Sequence, residues 1–330
     1  MAKFKALRIF SEEGKVQARM ADLELDELDP GEVVVRTAWS SVNFKDALAA
    51  TGTGKIVRRF PCVAGIDGCG TVVSSSDARF KVGDSVICTS YDIGVSHDGG
   101  YAEFMRVPAA WVVPLPRGMS LYESMALGTA GYTAGLAVVR MEREGLKPAN
   151  GPVIVTGATG GVGSVAIDIL AGAGYHVVAL TGKESEADYL KALGAKEVML
   201  RTSLDLGKIK PLDKTTWAGA VDNLGGDVLS WLASTMLVGG TLASIGLAAS
   251  HTFNTTVMPF ILRGVSMLGV DSVNTPMQLR QSVWQRLATD LKPRHLETMT
   301  TTVGLDQLAA VFERILKGQN KGRTVVKLAG

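Results

Sequence analysis

The chain has 330 residues, of which 46% are hydrophobic and 20% are charged, a composition typical of a globular protein with room for two domains. Its 34 basic and 32 acidic residues leave a net charge of +2, so no field of one sign predicts binding to nucleic acid or to a membrane surface. The start of the chain does not resemble a signal peptide, and no apolar run is long enough to span a bilayer. Three cysteines without metal-ligand spacing suit free thiols in a reducing cytosol. These features predict a cytoplasmic protein.

The first part of the chain, up to about residue 120, has the pattern of short strands joined by turns. Examples are Val33–Arg36, Val82–Ile87 and Tyr101–Val107. Many turns at short spacing predict a compact, β-rich, barrel-like domain. The segment Ser124–Met141 is long, rich in small residues and free of proline, which predicts a helix.

Beyond Pro152, predicted strands and helices alternate, which favours a parallel sheet with helices on both faces. A helix over Met277–Leu291, a helix over Asp306–Lys317 and a strand over Arg323–Leu328 follow. We therefore expect an α/β fold in which residues 125–274 form a doubly wound Rossmann domain. Residues 1–124 and 275–330 would form the β-rich substrate domain. The six predicted strands of the Rossmann domain are Val153–Thr156, His176–Leu180, Lys196–Leu200, Gly219–Val221, Thr241–Gly246 and Met267–Val270.

A glycine-rich turn follows the first of these strands directly. It has the sequence Gly157-Ala158-Thr159-Gly160-Gly161-Val162-Gly163 and leads into a segment with the apolar spacing of a helix. Glycine lets the backbone turn sharply and approach a pyrophosphate, and the helix N-terminus offers free N–H groups to it. The spacing departs from G-x-G-x-x-G, but its place between strand and helix favours a dinucleotide site over a ligand-free turn.

The end of the second strand indicates which dinucleotide binds. Enzymes that use NAD usually place an acidic residue there for the ribose 2′-hydroxyl, whereas this chain has Thr181-Gly182-Lys183. Lysine and threonine suit the 2′-phosphate of NADP, and Arg201 after the third strand is a candidate second partner. The negative charge of Glu184 counts against binding of a 2′-phosphate here. The alternative interpretation is that Lys183 and Arg201 are solvated cations of an ordinary surface. The pattern predicts NADPH.

A catalytic zinc site needs three protein ligands from Cys, His and acidic residues. The four histidines, His97, His176, His251 and His295, are not spaced with a cysteine as a ligand set. We therefore expect no metal, and chemistry that depends on the organic cofactor.

Several longer stretches resemble a known family. Residues 39–46, 65–72 and 82–86 resemble the quinone-oxidoreductase branch of the medium-chain dehydrogenase/reductase superfamily. Zinc alcohol dehydrogenases carry a cysteine near Asn43 and a His-Glu pair at the positions of Ile66 and Asp67, and this chain has neither. The chain also resembles the acrylyl-CoA reductase subfamily, at residues 44–48, 51–58, 128–134, 255–263, 269–273 and 319–324.

The resemblance implies a GroES-like substrate domain beside the Rossmann domain and NADPH-dependent, zinc-independent reduction of acryloyl-CoA to propionyl-CoA. It also implies a homodimer through the edge strand Met267–Val270. Phe44 stands where some relatives have tyrosine, and Lys183 where some have arginine, which loses the bidentate fork. The implied cofactor contacts are Phe44, Thr159, Gly160, Gly161, Val162, Thr181, Gly182, Lys183, Arg201, Leu247, Ile261, Ser272 and Asn320.

Hydride addition to the β-carbon of an acryloyl thioester builds negative charge on the thioester oxygen, which calls for a hydrogen-bond donor. Asn43 is a candidate donor, and a turn asparagine is the alternative. Asp46 is a candidate for orienting Lys45 or Asn43, or for relaying a proton, but a carboxylate at a helix N-terminus is the favoured interpretation. Arg58 and Arg59, with Lys55, are candidates for the phosphates of coenzyme A, with a solvated basic loop as the alternative.

Two other functions fit the same pattern. One is an NADPH-dependent quinone or enone reductase, since hydride chemistry is shared and the sequence describes the acceptor pocket poorly. The other is an NADPH-binding protein without turnover, which the residues around Asn43 disfavour.

Overall fold

The computed structural model describes residues 3–328. No helix in this range is both long and apolar enough to cross a bilayer. The strands are β1 (Phe4–Glu12), β2 (Lys15–Leu23), β3 (Val33–Ser41), β4 (Cys62–Val63), β5 (Asp67–Ser75), β6 (Ser85–Thr89), β7 (Phe104–Val107), β8 (Val112–Pro114), β9 (Val153–Thr156), β10 (Val177–Thr181), β11 (Glu197–Leu200), β12 (Trp217–Asp222), β13 (Met236–Ser244), β14 (Ser266–Gly269), β15 (Thr300–Val303) and β16 (Arg323–Lys327). The helices are α1 (Phe44–Thr51), α2 (Leu121–Arg143), α3 (Gly161–Gly172), α4 (Ala187–Ala192), α5 (Gly226–Thr235), α6 (Met258–Arg263), α7 (Met277–Ala288), α8 (Leu296–Met299) and α9 (Leu308–Leu316).

The chain divides into two compact units. The first comprises the chain up to Thr129, Val273–Gln285 and the chain from Leu296 onward, and the second comprises Ala130–Ser272 and Arg286–His295. The expected domain boundaries, after residues 124 and 274, lie near the unit boundaries after Thr129 and Ser272. The segment Arg286–His295 differs, because we expected it in the substrate domain and it groups with the second unit.

A buried carboxylate explains where that segment goes. Asp168 on α3 is fully buried and accepts hydrogen bonds from the backbone N–H groups of Arg294 at 2.9 Å and His295 at 2.8 Å. The His295 Nδ1 atom lies 2.9 Å from the same carboxylate. Because a buried carboxylate needs donors, this contact attaches the segment to α3.

The first unit is β-rich. One sheet has the order β2-β1-β4, and a larger one has the order β15-β16-β3-β5-β6-β8, with β7 also paired to β3. Strand β3 is antiparallel to both β5 and β16, and Val325 of β16 lies opposite Ser41 of β3. Apolar side chains such as Val33, Val35 and Val72 are fully buried. This pairing brings the ends of three strands distant in sequence to one place.

The second unit has a six-stranded parallel sheet with the order β11-β10-β9-β12-β13-β14. All six predicted Rossmann strands are present, with ends shifted by a few residues and β13 beginning earlier than expected. Successive strands are added toward one edge of the sheet from β9 and toward the other edge from β12. Ligands bind at this topological switch point in doubly wound sheets. The predicted fold class is therefore confirmed.

Helix α2 covers the predicted helical segment and is interrupted at one glycine. Gly128 has φ 54° and ψ −158°, which interrupts the helical backbone. A side chain at this position would collide with Ser41 Oγ, Arg323 Nη2 and Asp67 Oδ2. The interruption therefore lets the chain approach buried polar groups closely, which only glycine allows at this φ.

Candidate active site

The glycine turn is formed by the end of β9 and the start of α3. Gly157 has φ +56°, and Gly160 is the N-cap of α3. A Cβ atom on Gly163 would lie 2.5 Å from the Gly157 carbonyl oxygen and 2.9 Å from Ala158 Cα, so α3 packs directly on the turn. The first N–H groups of a helix lack intrahelical partners and lie at the positive end of its dipole. The turn is therefore suited to a pyrophosphate.

Asp222 and Asn223, at the end of β12, bind Thr156, the residue just before the glycine turn. Thr156 Oγ1 donates to Asp222 Oδ1 at 2.7 Å, and Asn223 Nδ2 donates to the Thr156 carbonyl oxygen at 2.7 Å. Asp222 is fully buried, and burial raises the pKa of its carboxyl while hydrogen bonds from Thr156 and Gly225 act in the opposite direction. The start of the glycine turn is thus fixed to the neighbouring strand.

The predicted 2′-phosphate residues meet after β10 and β11. Thr181 is buried and its Oγ1 accepts from the Lys183 backbone N–H at 3.0 Å. A Cβ atom on Gly182 would lie 3.7 Å from Arg201 Nη2, so the guanidinium group lies beside this turn. Arg201 is exposed and Glu184 is the nearby acid in sequence. The structure brings Thr181, Gly182 and Arg201 together, as a 2′-phosphate site requires.

The other expected cofactor residues lie in both units. In the second unit, Leu247 and Ile261 have 65% and 71% of their surface exposed, which is unusual for apolar side chains. Ser272 follows β14. In the first unit, Phe44 is 51% exposed at the start of α1, and Asn320 Nδ2 donates to the Gly322 carbonyl oxygen at 3.3 Å.

Asn43 lies in a buried polar cluster of the first unit, between the end of β3 and the start of α1. Its Nδ2 atom donates to Asp67 Oδ2 at 2.8 Å and to Asp46 Oδ2 at 3.2 Å. Its backbone N–H also donates to Asp46 Oδ2, at 2.8 Å, in a capping box. Both amide hydrogens are therefore directed at carboxylates, which leaves neither for a thioester oxygen and favours the turn interpretation.

Asp46 is the carboxylate of that capping box and is 1% exposed. It also accepts from the Ile66 backbone N–H at 2.9 Å. Burial first, and then the nearby Asp67 charge, raise the pKa of Asp46 to about 7, while its hydrogen bonds with Ile66 and Asn43 oppose the shift. Asp46 thus orients Asn43 from the helix N-terminus, and it is deeply buried rather than solvated.

Arg323 supplies the positive charge of the cluster and is 2% exposed. Its guanidinium donates to the Ala126 carbonyl at 2.9 Å, the Val42 carbonyl at 3.1 Å and Ser41 Oγ at 3.0 Å. Burial lowers the pKa of Arg323, and the charges of Asp67 and Asp46 oppose this.

Sequence reasoning did not select Asp67, Ser41 or Arg323 as functional residues. A signal was present, because Arg323 lies within one of the family-like stretches and Asp67 stands where zinc enzymes carry glutamate. On sequence alone, the position of Asp67 indicates only that a zinc ligand is missing.

The two candidate phosphate-binding arginines have different surroundings. Arg59 is paired with Asp29, lies 3.5 Å from Asp98 Oδ1 and donates to the Pro61 carbonyl at 3.2 Å. The Arg58 side chain is 73% exposed, and its guanidinium lies 3.9 Å from Asp92. Carboxylates therefore occupy Arg59, whereas Arg58 extends into solvent.

Potential metal ligands are dispersed. Residues 3–328 contain no group of three or more His, Cys, Asp and Glu side chains that could hold a metal ion. The three cysteines are buried and unpaired.

The nucleotide turn and the two-unit fold define a dinucleotide-dependent oxidoreductase, and comparison with known proteins identifies its family. Residues 29–117 match the alcohol dehydrogenase GroES-like domain, and residues 161–289 match the zinc-binding dehydrogenase family. The chain belongs to the medium-chain dehydrogenase/reductase superfamily.

Three relatives are similar along their whole length. The putative quinone oxidoreductase YhfP of Bacillus subtilis is 47% identical over 98% of this chain and 99% of its own. Its structure with NAD bound has a TM-score of 0.97, covering 99% of this chain and 100% of that one. The acrylyl-CoA reductase AcuI of Ruegeria pomeroyi is 46% identical over 98% of both chains. The yhdH oxidoreductase of Salmonella enterica, solved in complex with NADP, is 44% identical with a TM-score of 0.96, covering 98% of this chain and 100% of that one.

Proposed function

We propose that this chain uses NADPH to reduce the carbon–carbon double bond of acryloyl-CoA, giving propionyl-CoA. The observation that carries the proposal is the 46% identity, over 98% of both chains, to a protein named acrylyl-CoA reductase. A probable acrylyl-CoA reductase of Escherichia coli is 44% identical over 98% of this chain. The chemistry that joins these proteins is hydride addition to an activated alkene.

The choice of NADPH is supported by this chain's own residues. Thr159, Gly161 and Val162 would offer backbone N–H groups to a pyrophosphate, because the turn ends at the start of α3. The N–H of Gly160 donates to the Gly157 carbonyl oxygen at 2.9 Å, so Gly160 would contribute by letting the backbone approach the pyrophosphate closely. Thr181, Gly182, Lys183 and Arg201 would hold the 2′-phosphate, since a guanidinium lies beside a turn without a carboxylate at position 181. Phe44, Leu247, Ile261, Ser272 and Asn320 remain proposed contacts of the same cofactor.

In the reaction, bound NADPH would supply the hydride for the β-carbon of the acryl group, and the α-carbon would take a proton from solvent to complete the reduction. Asn43 is better suited to positioning than to donation, because Asp46 and Asp67 accept both of its amide hydrogens. We propose that Asn43 and Asp46 fix the start of α1, which carries the exposed Phe44 ring. Reduction then depends on orientation of the reactants by a preorganised loop. Zinc takes no part in this proposal.

Contact with the phosphates of coenzyme A is proposed for Arg58 rather than Arg59. Arg58 is exposed and only loosely paired, while Arg59 is engaged by two carboxylates. The variant Arg58→Gln should raise the KM for acryloyl-CoA and leave the Kd for NADPH unchanged, with Arg59→Gln as the matched comparison. If Arg58→Gln leaves the KM unchanged, the phosphate contact is wrong.

A quinone reductase is the second candidate, because the Bacillus subtilis relative at 47% identity is named a putative quinone oxidoreductase. Loss of NADPH absorbance, followed with acryloyl-CoA, crotonyl-CoA and a quinone, separates the two functions. Turnover with acryloyl-CoA far above the other acceptors supports our proposal. Preferred turnover with the quinone supports the second candidate, and no turnover with any of them supports a binding protein.

A homodimer and a cytoplasmic location stay predictions. Strand β14 is the edge of the six-stranded sheet, and its residue Met267 is 37% exposed. The apolar side chains of Val257 and Leu262 are also exposed, at 65% and 60%. An unpaired edge strand tends to be covered, so we propose that a second copy of this chain pairs there.

A further inference from the structure

The carboxylate of Asp67 accepts four hydrogen bonds from other groups of the polar cluster. It is fully buried at the first residue of β5. Its Oδ2 atom accepts from Ser41 Oγ at 2.5 Å, Asn43 Nδ2 at 2.8 Å and the Thr129 backbone N–H at 2.8 Å. Its Oδ1 atom accepts from Thr129 Oγ1 at 2.5 Å. A buried carboxylate that accepts this many hydrogen bonds orders the groups around it.

The charge of Asp67 sets the direction of the neighbouring hydroxyl groups. Ser41 Oγ accepts from Arg323 Nη2 at 3.0 Å, and its own hydrogen is directed at Asp67. The Thr129 hydrogen is also directed at Asp67, so the Thr129 oxygen acts as an acceptor toward Ser90 Oγ, which lies 3.3 Å away. The Asp67 carboxylate therefore determines that Thr129 accepts, and Ser90 donates, the hydrogen bond between their hydroxyl groups.

The backbone around the pair is held in uncommon conformations. Gly128, just before Thr129, has φ +54°, and Ser90 and Tyr91 have φ +69° and +51°. Two consecutive residues other than glycine with positive φ cost free energy and persist where the surrounding structure requires them. The strained Ser90–Tyr91 backbone beside the Thr129 hydroxyl, together with the fully buried carboxylate of Asp67, indicates a place built for function.

We propose that Asp67 is a positioning residue for the reduction, acting through the Asn43–Phe44 loop and through the direction of the Thr129 hydroxyl. This inference rests on the proposed function, since it treats that loop as part of the reaction site. Asp67 itself contacts no reacting atom in this assignment. Its role is to hold an ordered set of dipoles that need not reorganise during the reaction.

The variant Asp67→Asn tests this with almost no change in shape. An amide oxygen in the Oδ2 position keeps the bonds from Ser41, Asn43 and the Thr129 N–H. The amide nitrogen, in the Oδ1 position, donates to Thr129 Oγ1 and reverses the Thr129 hydroxyl. We expect kcat to fall at least about tenfold, since small misplacements in a reaction site are costly, while the Kd for NADPH stays within about twofold.

A double variant separates positioning from simple loss of stability. If Asp67 acts through Thr129, then adding Asp67→Asn to Thr129→Val should lower kcat much less than it does in the wild type. Asp168→Asn is the matched control, because that carboxylate is also fully buried but lies on α3 of the other unit. This control should lower the midpoint of thermal unfolding without the same loss of kcat.

Each variant is assayed with both acryloyl-CoA and a quinone. Failure of the proposed function and failure of the positioning role then give different results. Wild-type turnover with the quinone alone overturns the acryloyl-CoA assignment, and Asp67→Asn is then judged on the quinone. A wild-type kcat for Asp67→Asn, or independent effects of Asp67→Asn and Thr129→Val, overturns the positioning role. Absence of turnover with either acceptor overturns both.

Discussion

Removing the Arg201 guanidinium should weaken binding of NADPH selectively. Arg201 lies beside Gly182 at the end of β10, where the ribose 2′-phosphate is proposed to bind. A hydrogen bond to a charged group contributes about 1.5–3 kcal/mol. Because Arg201 is exposed, solvent screens the interaction and the lower end applies. A loss of about 1.5 kcal/mol corresponds to a roughly tenfold higher Kd for NADPH. NADH lacks the 2′-phosphate, so its Kd should not change.

The assay is a titration of nucleotide fluorescence at fixed ionic strength, with NADPH and NADH in parallel. Arg143→Ala is the control, since Arg143 is also an exposed arginine of the second unit. Lys183→Asp should act in the same direction as Arg201→Ala and more strongly, because it adds repulsion. Equal effects of Arg201→Ala on NADPH and NADH, or an equal effect of Arg143→Ala on NADPH, would refute the assignment.

Three further predictions concern other parts of the molecule. Gly163→Ala should lower the midpoint of thermal unfolding and weaken NADPH binding, because its Cβ would lie 2.5 Å from the Gly157 oxygen; overpacking of this kind costs about 1–3 kcal/mol. Gly269→Ala, with nothing within 4 Å, should do neither. The pKa of Asp46 is raised from 3.8 to about 7, so its contribution to stability is present below pH 4 and lost as pH rises through 7. Asp46→Asn should flatten the fall of the urea-unfolding free energy across this window, by at most about 1.4 kcal/mol per pH unit; an unchanged slope contradicts the raised pKa. Met267→Glu should shift the proposed dimer toward monomer in sedimentation velocity, and an unchanged mass would contradict pairing at β14.

The Rossmann half was predictable because its signals are local. Strands β9 and β10 are short, fully buried runs rich in valine, and such runs bounded by turn residues can be recognised from sequence alone. The glycine turn follows β9 directly, so its position needed no information about distant residues. The segment Arg286–His295 was misassigned because the partner that holds it, Asp168, lies more than a hundred residues earlier.

The polar cluster was not predictable for the same physical reason. Asp67 occupies a strand start that looks ordinary in sequence, and the residues that surround it come from β3, β16 and the break in α2. Arg58 and Arg59 are neighbours in sequence with opposite surroundings, because side chains of successive residues point in different directions. Gly128 looked like one small residue among many in a helix, since the crowding that requires it comes from Ser41 and Arg323.

The attachment of Arg286–His295 to α3 has a consequence for building chimaeric enzymes. A nucleotide-binding module cut from this chain at Ser272 would leave Asp168 without the Arg294 and His295 N–H groups that satisfy it. An uncompensated buried charge destabilises a fold severely. Exchange of cofactor preference between relatives should therefore transfer two pieces of chain, Ala130–Ser272 and Arg286–His295, as one cassette.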